Sequence, residues 1–402
     1  MRSLAALGTA LGCALFLSVG CGTQGSSTLT SPEVARFVFT LNDSTEAEFH
    51  GKRLGDVWHL FNGVESIAFE PLNDTVWRVP VFNGSWVLRP HHDSQYTGYW
   101  VDSLRIAAEP SYQVPLTVFS SDSSQDQSAQ ASAVPDGSWD VWFNKARGGN
   151  ADAQLDVQNS GGRLHGTMRT PTGDYRFLSG KMNEDRLQLQ TFDGAHLYVF
   201  TATLFNNQWI NGDFYSGNHY HTTWSAEPAG EPVDHDPMVS LTVSKEELYA
   251  RFLTRSGVED TLFLHSATNE LIVLDILGTW CPNCMDEIRL LSELDRKDAR
   301  FVSIAFERDT VPNSVYRRLD EFTSEMNADW EVYWGGAANK RVAADAFPFL
   351  DVVTSFPTTL FIRGNQVNVH SGFNGPATGS RHDQEKERFQ KQLNGITSLE
   401  SH

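Results

Sequence analysis

Leu271-Ile272-Val273-Leu274-Asp275-Ile276-Leu277-Gly278-Thr279-Trp280-Cys281-Pro282-Asn283-Cys284-Met285-Asp286-Glu287 is the stretch on which the fold turns. Its first seven residues are apolar apart from Asp275. Such a run predicts a strand buried on both faces. From Pro282 to Leu294, Met285, Ile288, Leu291 and Leu294 recur at a spacing of three, which predicts a helix. A C-x-x-C pair at the junction of a buried strand and a helix reads as a redox motif. The spacing lets the two thiols close a small disulfide ring. Cys281 falls at the helix N-terminus, where unpaired N–H groups and the macrodipole favour a thiolate. Pro282 fits the first turn because its missing N–H has no partner there anyway. Zinc and a static structural disulfide are the alternatives. Zinc needs two further ligands, and the nearest histidine pairs, His91-His92 and His219-x-His221, are far away in sequence.

Outward from this stretch, strands and helices alternate. Ser244–Glu247 opens a short helix, Arg300–Phe306 reads as a strand and Val315–Met326 as a helix. Trp330–Trp334 and Thr359–Ile362 read as strands, and Gln384–Leu393 as a closing amphipathic helix with Phe389 and Leu393 on one face. The pattern predicts a mainly parallel sheet with helices on its faces, an α/β unit over 238–397.

The other half is all β. Ala35–Leu41, Thr75–Phe82 and Ser85–Leu88 read as strands, and the pattern resumes from Gly137 to Trp224. Asp193-Gly194 marks a hairpin, and Asn206-Asn207 a turn before the strand Trp209–Tyr215. Residues 34–226 therefore predict a sandwich or barrel-like region, divided by the Ser/Gln-rich segment 120–136. The segment 227–237, with three prolines, links it to the α/β unit. Eight of the eleven tryptophans lie in the β half, which suits core packing and also an aromatic cleft.

The chain has 402 residues, 50 acidic against 31 basic, and a net charge of −19. That balance disfavours nucleic acid, which needs clustered Lys and Arg. Met1-Arg2-Ser3 followed by the uncharged run Leu4–Val19 predicts a signal peptide over 1–20. Leu17-Ser18-Val19-Gly20-Cys21 resembles a bacterial lipobox, which implies lipidation of Cys21 and a flexible tether over 21–33. A plain cleaved signal is the alternative. Gly22 in place of Asp lacks the inner-membrane retention signal, so an outer-membrane anchor facing the periplasm is expected. With Cys13 in the signal, this leaves Cys281 and Cys284 as the remaining pair.

Leu277–Glu287 resembles the active site of the TlpA/ResA-like thiol–disulfide reductases of the thioredoxin superfamily. Ser355-Phe356-Pro357-Thr358-Thr359-Leu360-Phe361-Ile362 resembles the cis-proline segment of that superfamily. Gly372-Phe373-Asn374-Gly375-Pro376-Ala377-Thr378-Gly379 resembles the tail of one TlpA-like subgroup, and Thr172–Leu178 and Thr191–Gly194 resemble the domain that precedes it. The resemblance covers about 240–397. It implies a thioredoxin-like fold and a Cys281–Cys284 redox disulfide. In that reading Cys281 is the exposed attacking thiol and Cys284 resolves the mixed disulfide. Asp275 and Glu287 serve as proton-transferring carboxyls. Glu287 on a solvated helix face is the bland alternative. Trp280, Phe356, Pro357 and Thr358 form a substrate-docking surface. No metal or cofactor is implied. The implied partners are disulfide-bearing proteins and a membrane thiol–disulfide electron donor. A thiol peroxidase is a second reading, although Gly278 and Cys281 stand where it needs Thr or Ser. A third is a lipid-anchored binding module with a redox-sensing domain.

Overall fold

The computed structural model describes residues 33–395 except 80–81, 83, 93–94, 103–111, 122–135, 148, 161, 231–237, 266–269 and 297–298. The signal sequence, Cys21, and most of the 120–136 and 227–237 segments lie outside the described residues. Among those described, no helix is long and apolar enough to cross a membrane.

Alternating apolar and polar positions build eight antiparallel strands between Glu33 and Ser121. The last, β8 (Val114–Ser121), pairs back onto β1 (Glu33–Asn42) and closes a barrel. Phe37, Phe39, Phe49, Trp58, Phe69 and Trp86 fill it, with Trp86 stacked on Phe69 at 3.4 Å between centroids. All eight tryptophans of the β half are buried. They are core, as the packing alternative has it.

A second set of strands follows: β9 (Gly137–Phe143), β10 (Ala153–Ser160), β11 (Arg163–Thr170), β12 (Gly173–Asp174), β13 (Leu178–Asn183), β14 (Arg186–Phe192), β15 (Leu197–Phe205), β16 (Gln208–Ser216) and β17 (Tyr220–Pro228). They run in the order β10-β9-β17-β16-β15-β14-β13-β11-β12, and β10 also pairs with β11. That extra pairing closes a ring of eight strands, with the two-residue β12 hanging from β11. Asn206 and Asn207 both take positive φ, at 49° and 61°, as a tight β15–β16 hairpin requires.

The connection after β14 joins the two barrels. Phe192 inserts its ring among Phe39, Phe69 and Trp100 of the first barrel, with centroids 4.8, 5.7 and 5.2 Å away. Asn62 clamps its backbone, accepting from Phe192 N at 3.0 Å and donating to its carbonyl at 2.7 Å. Gly194 fits because its neighbour across the seam, Gly84, has no side chain; a Cβ there would lie 2.0 Å from the Gly194 carbonyl oxygen.

The third sheet has β18 (Met238–Thr242), β19 (Tyr249–Leu253), β20 (Glu259–Phe263), β21 (Ile272–Leu277), β22 (Arg300–Glu307), β23 (Glu331–Ala337), β24 (Thr358–Arg363) and β25 (Gln366–Ser371). Its order is β18-β25-β24-β21-β22-β23-β19-β20. Helices α1 (Pro282–Glu293), α2 (Pro312–Met326) and α4 (Ser380–Asn394) pack on one face, and α3 (Lys340–Ala346) on the other. Every residue of β21 is therefore buried. The sheet is mixed and not mainly parallel: β21–β22 and β22–β23 are parallel, and the other five pairings are antiparallel. Two hairpins supply the difference, one turning at Gly257 and one at Gly364, both with positive φ. The short helix expected at Ser244–Glu247 is a single turn, cut off because Tyr249 already begins β19. The three sheets make one compact unit.

Candidate functional site

Cys281 is the N-cap of α1. Its sulfur accepts the Cys284 N–H at 3.3 Å and donates to the Phe356 carbonyl at 3.4 Å. Both cysteines are free thiols, so the expected redox disulfide is open in this structure. Cys281, expected to be exposed, is only 6% exposed. The cover explains it. Trp280 stands edge-on to Phe356 with centroids 5.8 Å apart, and its indole N–H donates to the Phe306 carbonyl at 2.9 Å. Arg308 lies over the Trp280 ring at 4.7 Å and reaches Asp102 of the first barrel at 3.2 Å. The Phe356–Pro357 peptide is cis. Trp280 and Phe356 are half-buried and border the sulfur. Thr358 does not offer its side chain for docking: it is buried, and its hydroxyl donates to the Ser355 carbonyl at 2.9 Å.

Behind the sulfurs lies a pair of carboxyls. Glu287 is fully buried and not on a solvated face, because its side of α1 packs against the sheet. One of its oxygens accepts from the Thr359 hydroxyl. One Asp275 oxygen accepts from Ser303 at 3.4 Å. The remaining oxygens, Asp275 Oδ1 and Glu287 Oε2, are buried with no hydrogen-bond partner, and the Asp275 charge acts on Glu287. At least one of the two must hold a proton, since two buried carboxylates cannot both stay charged there. Burial pushes Asp275 up to about 7. Burial, then the Asp275 charge, drives Glu287 well above the carboxylate range. Burial also pushes the Cys284 thiol well up, with the Cys281 sulfur and the Asp275 charge adding to it. Cys284 can therefore ionise only with a base at hand, and this pair is the nearby candidate.

The first turn of α1 is held from outside the α/β unit by residues that motif reading did not single out individually. Asn283 donates to the Asp174 carbonyl at 3.2 Å. Gly173, at φ +146°, leaves the space: a Cβ would come 2.0 Å from Asn283 Nδ2. The Asp174 carboxylate accepts from Gly375 N and Arg176 N, each at 2.7 Å. Burial, and then the nearby Asp286, pushes Asp174 up to about 6. The buried Arg176 guanidinium bridges Asp286 of α1, at 2.5 Å, and Glu65 of the first barrel. The Thr172–Leu178 and Gly372–Gly379 segments thus meet at the first turn of α1. Their resemblance to a family pattern was the signal; their contact could not be read from spacing. Among the described residues, no group of three His, Cys, Asp or Glu is gathered to hold a metal ion.

No protein-family model and no curated protein matches the sequence. Among solved structures, the chain is similar to a secreted Mycobacterium tuberculosis disulfide oxidoreductase homologous to E. coli DsbE. Identity is 19% and the TM-score 0.27, over 38% of this chain and 100% of that one. A thioredoxin-family thiol:disulfide interchange protein from Chlorobium tepidum gives 18% and 0.25, over 40% and 98%. A DsbF homologue from Corynebacterium diphtheriae gives 14% and 0.26, over 42% and 100%. Likenesses this weak carry no part of the chemistry, which rests on the geometry of the site.

Proposed function

We propose that the protein is an extracytoplasmic thiol–disulfide oxidoreductase of thioredoxin-like, TlpA-related type, anchored by a lipid on Cys21 and working as a reductant. The observation that carries the chemistry is a helix-capping Cys281 followed by a buried Cys284, with the buried carboxyls of Asp275 and Glu287 near it. In the first step the Cys281 thiolate attacks one sulfur of a substrate disulfide. The substrate S–S bond breaks, a Cys281–substrate bond forms, and the departing sulfur takes up a proton. In the second, Cys284 gives its proton to the Asp275–Glu287 pair and attacks Cys281 Sγ. The second substrate sulfur leaves as a thiol, and a Cys281–Cys284 disulfide remains. Two electrons have passed from the dithiol to the substrate, and a membrane thiol–disulfide donor restores the dithiol. Trp280 and Phe356 border the path to Cys281, and the Phe356 backbone ahead of Pro357 offers pairing groups to an extended substrate.

Insulin reduction with dithiothreitol tests this reading. Activity is expected in the native chain and none in Cys281→Ser; full activity in that variant removes the mechanism. Cys284→Ala is expected to accumulate mixed disulfides with its substrates in cells.

A further inference from the structure

The second barrel is not packed evenly along its axis. Trp139, Leu155, Leu189, Phe200, Trp209 and Trp224 fill its middle and one end. Toward the other end, paired positions on the same inward face carry different residues. Phe143 pairs with the inward Trp224, Thr222 with the inward Phe214, and Ser216 with both Tyr198 and Tyr220. Phe143, Tyr198, Phe214, Ser216, Tyr220 and Thr222 surround a cleft of about 500 Å³ at the barrel mouth, completed by Tyr175 and by His219 of the β16–β17 turn. A ring of eight strands leaves room for side chains or one small ligand, and this volume lies within the usual range for small-molecule sites.

We propose that this mouth binds a neutral saccharide ring. Five aromatic rings form the walls. Around Phe214, centroids lie at 5.7 Å to Tyr175, 5.7 Å to Tyr198, 5.9 Å to Phe143 and 6.1 Å to Tyr220. Such walls offer flat apolar faces for stacking. The polar groups among them are three phenols, the Ser216 and Thr222 hydroxyls and an imidazole. No Lys or Arg lines the cleft, so an anionic ligand would lose water without gaining a countercharge; a quaternary ammonium is the competing occupant, since aromatic faces attract cations. A pure hydrocarbon would strip water from the Ser216 and Thr222 hydroxyls without replacing it. A pyranose meets both demands, with C–H faces for the rings and hydroxyls for the polar groups. Tyr175 sits between Asp174 and Arg176, so the site borders the segment that holds the active-site helix. The binding proposal does not depend on the redox reading.

Isothermal titration of the chain with cellobiose, maltose and N,N′-diacetylchitobiose tests it, with choline and 1-decanol as the cationic and aliphatic probes. At least one disaccharide is expected to bind with a Kd of millimolar order or tighter. Affinity should fall about tenfold or more in Tyr220→Ala and Tyr198→Ala, equivalent to about 1.4 kcal/mol. Tyr220 is 51% exposed at the rim, so its removal leaves the barrel core intact, and unchanged circular dichroism checks this. The proposal is overturned if no disaccharide binds up to about 20 mM, if binding is unchanged in Tyr220→Ala, or if choline or decanol binds in place of the sugars.

Discussion

Replacing Asp275 by Asn isolates the carboxyl pair behind the thiols. In the folded chain, burial holds the Asp275 proton up to about 7, against 3.8 for the free side chain. Between those values the unfolded chain binds fewer protons than the folded one, so stability falls as the pH rises. Below 3.8 both states are protonated and the contribution is fully favourable; above about 7 it is lost. The difference is worth about 4 kcal/mol at about 1.4 kcal/mol per pH unit. An amide at this position keeps the shape and cannot ionise, so the Asp275 part of the pH-dependent loss should vanish from the variant, while the Glu287 and Asp174 parts remain. Urea unfolding followed by tryptophan fluorescence would show similar midpoints for both proteins near pH 4. Near pH 9 the variant should be ahead by up to about 4 kcal/mol, a shift on the order of 1–2 M urea. Comparing variant with native chain at each pH cancels Asp174, which titrates in an overlapping window, whereas the release of Glu287 from the Asp275 charge is part of the difference measured. The same variant should resolve mixed disulfides more slowly at neutral pH, because an amide cannot take the Cys284 proton. Equal midpoint differences at pH 4 and pH 9 would refute the buried-proton argument.

Other positions test the seams. Arg176→Met leaves Asp286 and Glu65 without their shared cation and should destabilise by about 3–5 kcal/mol; denaturation of Arg176→Met with Asp286→Asn should recover part of that loss. Gly173→Ala, in a backbone conformation that L residues rarely adopt and against Asn283, should lower insulin reduction while the β-sheet circular dichroism stays unchanged. Asn62→Ala strips both hydrogen bonds from the Phe192 backbone and should cost about 1–3 kcal/mol in urea unfolding.

The local signals were strong where burial was uniform. Ile272–Leu277 is apolar on both sides because helices cover both faces of the sheet, and α1 announces itself by Met285, Ile288 and Leu291. Closure of the two barrels was not legible. Alternation says that strands exist, but pairing of β1 with β8, or of β10 with β11, is fixed by long-range register. Helix α3 went unread because it has seven residues, of which only Ala343 and Ala346 are buried, too few for a periodic stripe. At the site, the sulfurs and carboxyls were legible from their spacing and family pattern. Trp280 and Phe356 beside Cys281 were read with them, but the Arg308 that lies over Trp280 was not, because it is held by Asp102 of the first barrel.

The residues between and beside the cysteines bear on what the β half does. Thiol exchange needs Cys281 and Cys284, and the proline suits the helix start; nothing in that chemistry calls for Asn283 or for a buried Asp286. Both choices follow from the β half. Asn283 meets the Asp174 carbonyl and Asp286 meets Arg176. Arg176 in turn needs Glu65 of the first barrel, where its charge would otherwise be buried against a single carboxylate. A spacer that only held the redox unit away from a membrane would have no reason to bury an arginine between two barrels and an active-site helix. A tether leaves charged surfaces in water, where they cost nothing. The desolvated bridge makes sense if the position of α1 relative to the second barrel matters. The β half is therefore part of the site's construction, and Gly173, Asp174 and Arg176 are the residues through which it acts.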